Sequence, residues 1–225
     1  MIKLFKKNLK IITPKKIIEL RRFHIYKHPY YNYNIKYKCI FIHIPKTAGT
    51  SILSTLAGRI RGRNHSDFSC YEKFNPSAFT EYYKFTFVRN PWGRVVSCYE
   101  YLLNGGNQQE DLYYKKLLIE KYNTFEKFVL EFLNHEVIHE NVLFKPQYLF
   151  IYDHTGKCKV NFIGRFENIF NDSKEILNKL NIKSELPETN ASMRKPYQEY
   201  YRNNKVKNKI SNLYKKDIEL FNYNF

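Results

Sequence analysis

One stretch of the sequence constrains this fold more than any other. It consists of a short apolar segment, a loop of small and hydroxyl-bearing residues, and a helix. Residues 38–44 form an apolar run with several isoleucines, which is typical of a buried strand in a parallel sheet. Pro45 ends the run, residues 46–51 read Lys-Thr-Ala-Gly-Thr-Ser, and a helix predicted over residues 52–57 ends at Gly58. Because the first N–H groups of a helix bind anions, this order predicts a phosphate site.

The same order of elements recurs further along the chain. Residues 84–88 predict a second buried strand, Arg89 and Asn90 follow it, and Pro91 takes the first position of a helix that ends at residues 104–106. The other predicted elements are helices over residues 112–122, 124–132 and 168–180 and strands over residues 148–152 and 159–164. This alternation predicts an α/β fold, a P-loop-like domain with a central, mainly parallel sheet flanked by helices.

The chain of 225 residues has no linker rich in proline, glycine or serine. We predict one domain over residues 36–225 after a basic N-terminal extension over residues 1–35. Lysines interrupt the apolar residues of this extension, which argues against a signal peptide or a transmembrane segment and predicts a cytoplasmic protein. Residues 3–20 form either an amphipathic helix that contacts anionic lipid at the periphery of a membrane or a solvated helix.

The charge balance restricts the partners of the protein. Lysine and arginine number 38, against 21 aspartates and glutamates, so the net charge is +17. Such a charge favours anionic partners, namely nucleic acid, a phosphorylated cofactor, an acidic glycan or a membrane surface. Composition alone does not choose among them.

The first loop differs from the Walker A pattern of nucleoside triphosphatases. Lys46 precedes Gly49 instead of following it, and Arg89 ends the second strand, where a triphosphatase would place an aspartate for Mg²⁺. We therefore predict that the loop binds an anion without a metal. Ser97 lies about two helical turns beyond Arg89, and if both loops meet at one sheet edge they could hold two phosphate groups of one nucleotide.

Two motifs carry a resemblance to a known family. Residues 41–51 (Phe-Ile-His-Ile-Pro-Lys-Thr-Ala-Gly-Thr-Ser) and residues 87–97 (Phe-Val-Arg-Asn-Pro-Trp-Gly-Arg-Val-Val-Ser) resemble the carbohydrate sulfotransferases of sulfotransferase family 2, which are related to the glycosaminoglycan O-sulfotransferases. The resemblance covers residues 38–225 and continues through residues 145–148, 162–168, 190–194, 197–201 and 217–221. It implies an enzyme that transfers a sulfuryl group from 3′-phosphoadenosine-5′-phosphosulfate (PAPS) to a carbohydrate hydroxyl and releases adenosine 3′,5′-bisphosphate. The acceptor stays open among polysaccharide, lipopolysaccharide and glycolipid.

The resemblance also implies roles for individual residues. The first motif would bind the 5′-phosphosulfate through Pro45, Lys46, Thr47, Ala48, Gly49, Thr50 and Ser51. Lys46 would also be catalytic. The second motif would bind the 3′-phosphate through Arg89 and Ser97. A loop that covers the nucleotide in family members would contribute Ser192, Arg194 and Lys195.

Transfer to a hydroxyl calls for a general base, and histidine suits this role because its ordinary pKa is about 6.5. His65 lies between the two motifs, where related enzymes carry their catalytic histidine, and a basic surrounding disfavours its protonated form. His43, inside the first strand, is predicted to be a core or supporting residue. His135 and His139 either lie on the surface or line an acceptor groove, for which the loops over residues 104–111 and 134–145 are candidates.

Four arginines leave two interpretations open. They either face an acidic acceptor or form a solvated basic surface, and they are Arg59, Arg61, Arg63 and Arg94.

Two other function classes compete with this hypothesis. A basic nucleic-acid-binding module would explain the net charge and the aromatic content of 17%, but the chain shows no helix-turn-helix, zinc-finger or RNP pattern. A nucleotide-dependent kinase would need the GK[ST] sequence and a carboxylate for Mg²⁺. We therefore predict an in-line, metal-independent sulfotransferase with a carbohydrate partner and no nucleic acid partner.

Overall fold

The computed structural model describes residues 29–58, 64–187 and 195–225. In these residues a three-stranded parallel sheet forms the centre of the fold. Its strands are β1 (Cys39–Ile42), β2 (Tyr83–Val88) and β3 (Phe162–Arg165), with β2 in the middle. Phe41 pairs with Phe85, and Phe85 pairs with Phe162. The predicted α/β class with a parallel central sheet is confirmed.

Helices surround this sheet. They are α1 (Asn32–Tyr37), α2 (Gly49–Ala57), α3 (Phe68–Phe74), α4 (Pro76–Glu81), α5 (Pro91–Leu103), α6 (Gln109–Glu120), α7 (Phe125–Lys127), α8 (His135–Glu140), α9 (Ile169–Lys179), α10 (Asn204–Leu213) and α11 (Lys215–Leu220). A π-helical turn, Phe128–Phe132, continues α7, and 3₁₀ turns lie at Gln147–Phe150, Phe166–Asn168 and Tyr197–Tyr200. No helix among the described residues is both long enough and apolar enough to cross a bilayer.

Alternate side chains of β1 enter two hydrophobic clusters on opposite faces of the sheet. Ile40 and Ile42 pack in the cluster that contains most of the apolar residues of α5. Cys39 and Phe41 pack in the other cluster, to which α2 and α9 contribute. Because successive side chains of a strand point to opposite faces, this division shows that helices cover both sides of the sheet, as the apolar runs predict.

Of the two helices that follow β1 and β2, α5 begins at Pro91 as the sequence predicts, whereas α2 begins at Gly49, ahead of the helix predicted over residues 52–57. Pro91 is the first residue of α5, and the Asn90 side chain caps the helix by accepting hydrogen bonds from the N–H groups of Trp92 and Gly93, at 3.1 and 3.3 Å. Gly58 ends α2 in the left-handed conformation with φ +66°. Local signals therefore fix both helices that face the site.

The strand predicted over residues 148–152 is wrong. These residues belong largely to the 3₁₀ turn at Gln147–Phe150, although Tyr152 forms an isolated bridge with Cys158. The reason is a buried carboxylate: Asp217 accepts hydrogen bonds from the N–H groups of Gln147 at 2.8 Å and of Tyr148 at 2.9 Å. These donors are then no longer available for a strand ladder, and the turn still buries Phe150.

Residues 29–35, which the sequence analysis assigns to the extension, contact the domain. The Tyr30 hydroxyl donates to the Tyr71 carbonyl at 3.2 Å, and the buried Asn34 amide donates to the Cys39 carbonyl at 2.8 Å. The rest of the predicted extension, residues 1–28, lies outside the described residues. The division at residue 35 stays a prediction.

Asp217 on α11 is fully buried and holds the end of β2 through Gln147. The Gln147 side chain accepts from the Arg89 N–H at 2.9 Å and donates to the Arg89 carbonyl at 2.8 Å. Burial raises the pKa of the Asp217 carboxyl, while the N–H groups of Gln147 and Tyr148 and the nearby charge of Arg94 act in the opposite direction. The network thus places a carboxyl group in the core, where it fixes the backbone at Arg89 through Gln147.

We predict that Asp217→Asn, which conserves the size of the side chain, destabilises the fold by about 1–3 kcal/mol. A carboxamide offers one acceptor oxygen in place of two, so one backbone N–H of residues 147–148 loses its partner and faces an NH₂ group. Urea denaturation measures the change. The control is Glu219→Gln on the same helix, an exposed residue paired with Lys215 at 3.7 Å, which should change stability by less than about 0.5 kcal/mol. Equal stability of Asp217→Asn and the parent would contradict the network.

Candidate functional site

The loop after β1 turns sharply into α2 through two residues in the left-handed conformation. Lys46 has φ +67° and Ala48 has φ +66°, which non-glycine residues rarely adopt. The buried Thr47 hydroxyl donates to the Ile44 carbonyl at 2.9 Å, and the Ala48 carbonyl accepts from the N–H of Ser51 at 3.0 Å. A left-handed backbone conformation at a non-glycine residue costs conformational energy. Residues in this conformation are concentrated at functional sites, where the surrounding structure stabilises them.

Gly49 begins α2 against a histidine. A Cβ at this position would overlap the imidazole ring of His43, which is only 5% exposed. The absence of a side chain therefore lets His43 lie directly beside the N-terminus of the helix. His43 follows β1 and is a buried supporting residue, as the sequence predicts.

Arg89 brings the second loop into contact with the first. Its guanidinium lies over the Phe166 ring, 3.9 Å from the centroid, and its Nη1 donates to the Lys46 carbonyl at 3.3 Å. β1 and β2 are parallel neighbours, so their carboxyl ends lie at one edge of the sheet. The two loops that sequence reasoning selects separately are thus joined by a direct hydrogen bond.

Ser97 lies on α5 with a buried hydroxyl. The residue is 1% exposed, and its Oγ makes no hydrogen bond to any described part of the chain. A Cβ at Gly93 would lie 3.7 Å from the Arg89 Nε, so the Arg89 side chain runs along the first turn of α5. Gly93 and Ser97 are four residues apart and share one side of the helix, so the arrangement suits a ligand held by Arg89 and Ser97 together.

Arg94 corrects the sequence analysis, which left it facing an acceptor or solvent. Both interpretations are wrong, because the side chain is 1% exposed. Its Nε donates to the Pro45 carbonyl at 3.0 Å and its Nη2 to the Leu143 carbonyl at 3.0 Å. Arg94 is therefore a buried structural residue whose hydrogen bond to Pro45 connects α5 to the first loop.

His65 is positioned by the backbone of His43. Its Nδ1 lies 2.9 Å from the His43 carbonyl oxygen, and the two imidazole rings lie 4.3 Å apart between centroids. A carbonyl only accepts, so Nδ1 carries the proton and Nε2 of the neutral ring carries the lone pair. The structure therefore brings the predicted base to the beginning of the first loop, with Nε2 as its basic atom.

Lys46 is half-buried beside an aromatic ring. Its Nζ lies 4.3 Å from the centroid of the Tyr101 ring on α5. The Tyr101 hydroxyl donates to Asp111 Oδ2 at 2.6 Å. Tyr101 was not selected from the sequence, because an aromatic residue within an amphipathic helix is indistinguishable from a core residue there. Asp111 entered only as the last residue of the candidate loop over residues 104–111.

Other predicted residues are placed as follows. Thr50 and Ser51 are half-buried on the first turn of α2, Pro45 is buried, and Lys195 is exposed. His135 and His139 are exposed on α8, where His139 Nδ1 lies 2.7 Å from the His135 carbonyl oxygen. Several predicted residues lie outside the described ranges, namely Ser192, Arg194, Arg59, Arg61 and Arg63. Among the described residues, no group of three or more His, Cys, Asp or Glu side chains could hold a metal ion.

Sequence reasoning missed the roles of Gln147 and Asp217. Both lie within motifs that the resemblance includes, residues 145–148 and 217–221, but nothing in those motifs alone assigns them a function. Their role depends on contacts across 70 positions of the chain. No signal in the sequence distinguishes Asp217 from Glu219, the exposed acidic residue two positions further along the same helix.

The site combines cationic side chains with two helix N-termini. Lys46 and Arg89 lie at the carboxyl edge of the sheet, where α2 and α5 begin. Both helix dipoles and both cations favour negative charge at this edge, and the Ser97 hydroxyl adds a buried donor. Such an arrangement can bind a ligand with two separate anionic groups.

Comparison with curated proteins and with solved structures found no significant match. A family model described as "Sulfotransferase family" matches residues 29–224. The match includes the first and second loops, the Gln147 turn and α11. Because it spans most of the chain, the chain belongs to the sulfotransferase family.

Proposed function

We propose that the protein transfers a sulfuryl group from PAPS to a hydroxyl group of a carbohydrate. Membership of the sulfotransferase family makes it a transferase for sulfuryl groups, while the donor, the acceptor and the base belong to the proposal. One observation carries the choice of donor: the hydrogen bond of 3.3 Å between Arg89 Nη1 and the Lys46 carbonyl, which joins two anion-binding loops. PAPS carries a 5′-phosphosulfate and a 3′-phosphate, and so it needs two such loops close together.

The described residues suit this donor. We assign the 5′-phosphosulfate to the first loop and to the first turn of α2, with Lys46, Thr50 and Ser51 as side-chain donors and Gly49 as a backbone donor. The Thr47 hydroxyl already donates its proton to the Ile44 carbonyl, so we assign Thr47 a backbone contact only. Pro45 and Ala48 shape the loop.

The 3′-phosphate is assigned to Arg89 and Ser97. The Phe166 ring and the Lys46 carbonyl orient the guanidinium, and the buried Ser97 hydroxyl would gain the partner that the described residues do not give it. Ser192, Arg194 and Lys195 are proposed to cover the nucleotide.

PAPS, when bound, supplies the sulfuryl group and a phosphate leaving group. The Lys46 ammonium stabilises the negative charge that develops on that phosphate as its bond to sulfur breaks. His65 Nε2 accepts the proton of the acceptor hydroxyl while the oxygen forms its bond to sulfur. The His43 carbonyl, which binds Nδ1–H, keeps the imidazole oriented and stabilises the imidazolium. The products are the sulfated acceptor, adenosine 3′,5′-bisphosphate and a proton on His65.

The carbohydrate acceptor is proposed from the likeness of the two motifs to carbohydrate sulfotransferases. The loop over residues 104–108 leads from α5 to α6 and is tied to Tyr101 beside Lys46, which supports a role in binding the acceptor. Polysaccharide, lipopolysaccharide and glycolipid remain the candidate acceptors. A cytoplasmic location, with contact to a membrane surface left open, is part of the proposal. The nucleic-acid-binding and kinase hypotheses gain no support.

We predict that Arg89→Ala weakens the binding of adenosine 3′,5′-bisphosphate by about 10- to 100-fold, because a charge-assisted contact to the 3′-phosphate is lost. Adenosine 5′-monophosphate, which lacks that phosphate, should bind the variant and the parent almost equally. Titration calorimetry with both nucleotides measures the difference. Arg202→Ala, which removes an exposed charge, is the matched control. Unchanged affinity of Arg89→Ala for the bisphosphate would assign the 3′-phosphate elsewhere.

We predict that transfer from labelled PAPS to a screened acceptor continues in EDTA. Lys46, Arg89 and the helix N-termini supply the stabilisation that a metal gives in kinases, so chelation should leave the rate unchanged. The measurement is the initial rate with and without EDTA. A complete loss of activity that Mg²⁺ restores would contradict the metal-independent mechanism.

We predict that His65→Ala lowers kcat by about 100-fold or more and leaves the affinity for adenosine 3′,5′-bisphosphate nearly unchanged. In the parent, kcat should fall as the pH decreases into the range where histidine gains a proton, and this dependence should be absent in His65→Ala. His139→Ala, an exposed histidine with the same type of Nδ1 contact, is the control. Turnover of His65→Ala close to that of the parent would move the role of base to another group.

A further inference from the structure

Lys46 and Tyr101 form a contact whose two sides are both fixed by the fold. The Lys46 backbone is held by Arg89 Nη1, so the position from which its side chain starts is set. Its Nζ then lies 4.3 Å from the Tyr101 ring centroid, within the distance at which the face of an aromatic ring attracts a cation. A ring face holds an ammonium group without neutralising its charge, which a carboxylate would do.

Tyr101 is in turn held by the loop between α5 and α6. Its hydroxyl donates to Asp111 Oδ2 at 2.6 Å and accepts from the Asn107 N–H at 2.9 Å. One end of the ring is anchored to α5 and the other to this loop, so its face has a defined orientation. A hydrogen bond to a carboxylate also increases the electron density of the phenol, which strengthens its attraction for a cation.

Asp111 fits closely beneath this loop. It is 5% exposed, and its Oδ2 also accepts from the N–H groups of Asn107 and Gln108, each at 3.0 Å. A Cβ at Gly106, where φ is +58°, would overlap the Asp111 carboxylate. The loop is therefore shaped around the group that holds the Tyr101 hydroxyl.

We propose that Tyr101 is a positioning residue that acts through Lys46. Asp111 acts indirectly, because it fixes the orientation of the Tyr101 ring. This inference rests on the proposed function, in which the Lys46 ammonium stabilises the departing phosphate. Lysine has a long, flexible side chain, and a charge that is displaced from the leaving oxygen stabilises it less. The ring restricts Lys46 before the donor arrives.

The position of Lys46 can be measured in the protein without any ligand. Protons above the face of an aromatic ring resonate upfield, so the ε-methylene of Lys46 should be shifted upfield in a ¹H–¹³C spectrum, with Lys46→Arg identifying the signal. The shift should disappear in Tyr101→Leu and persist in Tyr101→Phe, which keeps the ring. Tyr113→Leu on α6, an exposed tyrosine 54% accessible, should leave it unchanged.

The same variants test the effect on the reaction, with transfer from PAPS to the screened acceptor measured as release of adenosine 3′,5′-bisphosphate. Tyr101→Leu should lower the rate about tenfold, and Tyr101→Phe should lower it by no more than about threefold. Neither variant should change the affinity for adenosine 3′,5′-bisphosphate by more than about twofold, because the ring acts on the position of a charge and not on the binding site as a whole.

The chemical-shift and rate measurements together distinguish a failure of the inference about Tyr101 from a failure of the proposed function. An ordinary chemical shift for Lys46 in the parent, or equal rates of Tyr101→Leu and the parent, would overturn the role of Tyr101. A loss of rate with an equal loss of nucleotide affinity would also overturn it, since a general structural defect has that effect. If neither the parent nor any variant releases the bisphosphate, the proposed function fails, and the inference, which rests on it, fails with it.

Discussion

The buried carboxylate of Asp217 is the constraint on which the site depends. It lies in the core at an energetic cost, which two backbone N–H groups at residues 147–148 partly offset. This contact places the Gln147 amide against the Arg89 backbone, and Arg89 then reaches the Lys46 carbonyl. Arg94, on the next helix, braces the same loop at Pro45. Buried polar contacts from distant parts of the chain thus determine where the half-buried cations Lys46 and Arg89 lie.

These cations also have to be held close together. Like charges at one sheet edge repel one another, and a site that binds anions cannot cancel them with carboxylates without losing its attraction for the ligand. Among the contacts described above are two ring faces, Tyr101 for Lys46 and Phe166 for Arg89, and the Lys46 carbonyl oxygen. Contacts of these kinds orient a cation without neutralising its charge.

The parts that could be predicted from the sequence are those set by neighbouring residues. Pro91, Gly58 and the apolar runs determine the strands and helices on both sides of the two loops. The strand predicted over residues 148–152 was wrong because an apolar run has the same pattern in a buried turn, and only the distant Asp217 decides between them. Arg94 was misassigned for a similar reason: arginine is usually exposed, and the carbonyls that allow its burial belong to other segments.

The Gln147 side chain has a further consequence for the sheet itself. Its amide both donates to and accepts from the backbone of Arg89, as the opposite residue does in an antiparallel pair, so it continues backbone-type hydrogen bonding one residue beyond the end of β2. Few side chains can replace it: a carboxylate cannot donate and an ammonium cannot accept. A single side chain, 58 positions away along the chain, therefore satisfies both backbone hydrogen-bonding groups of Arg89 at the point where the central strand gives way to the second loop.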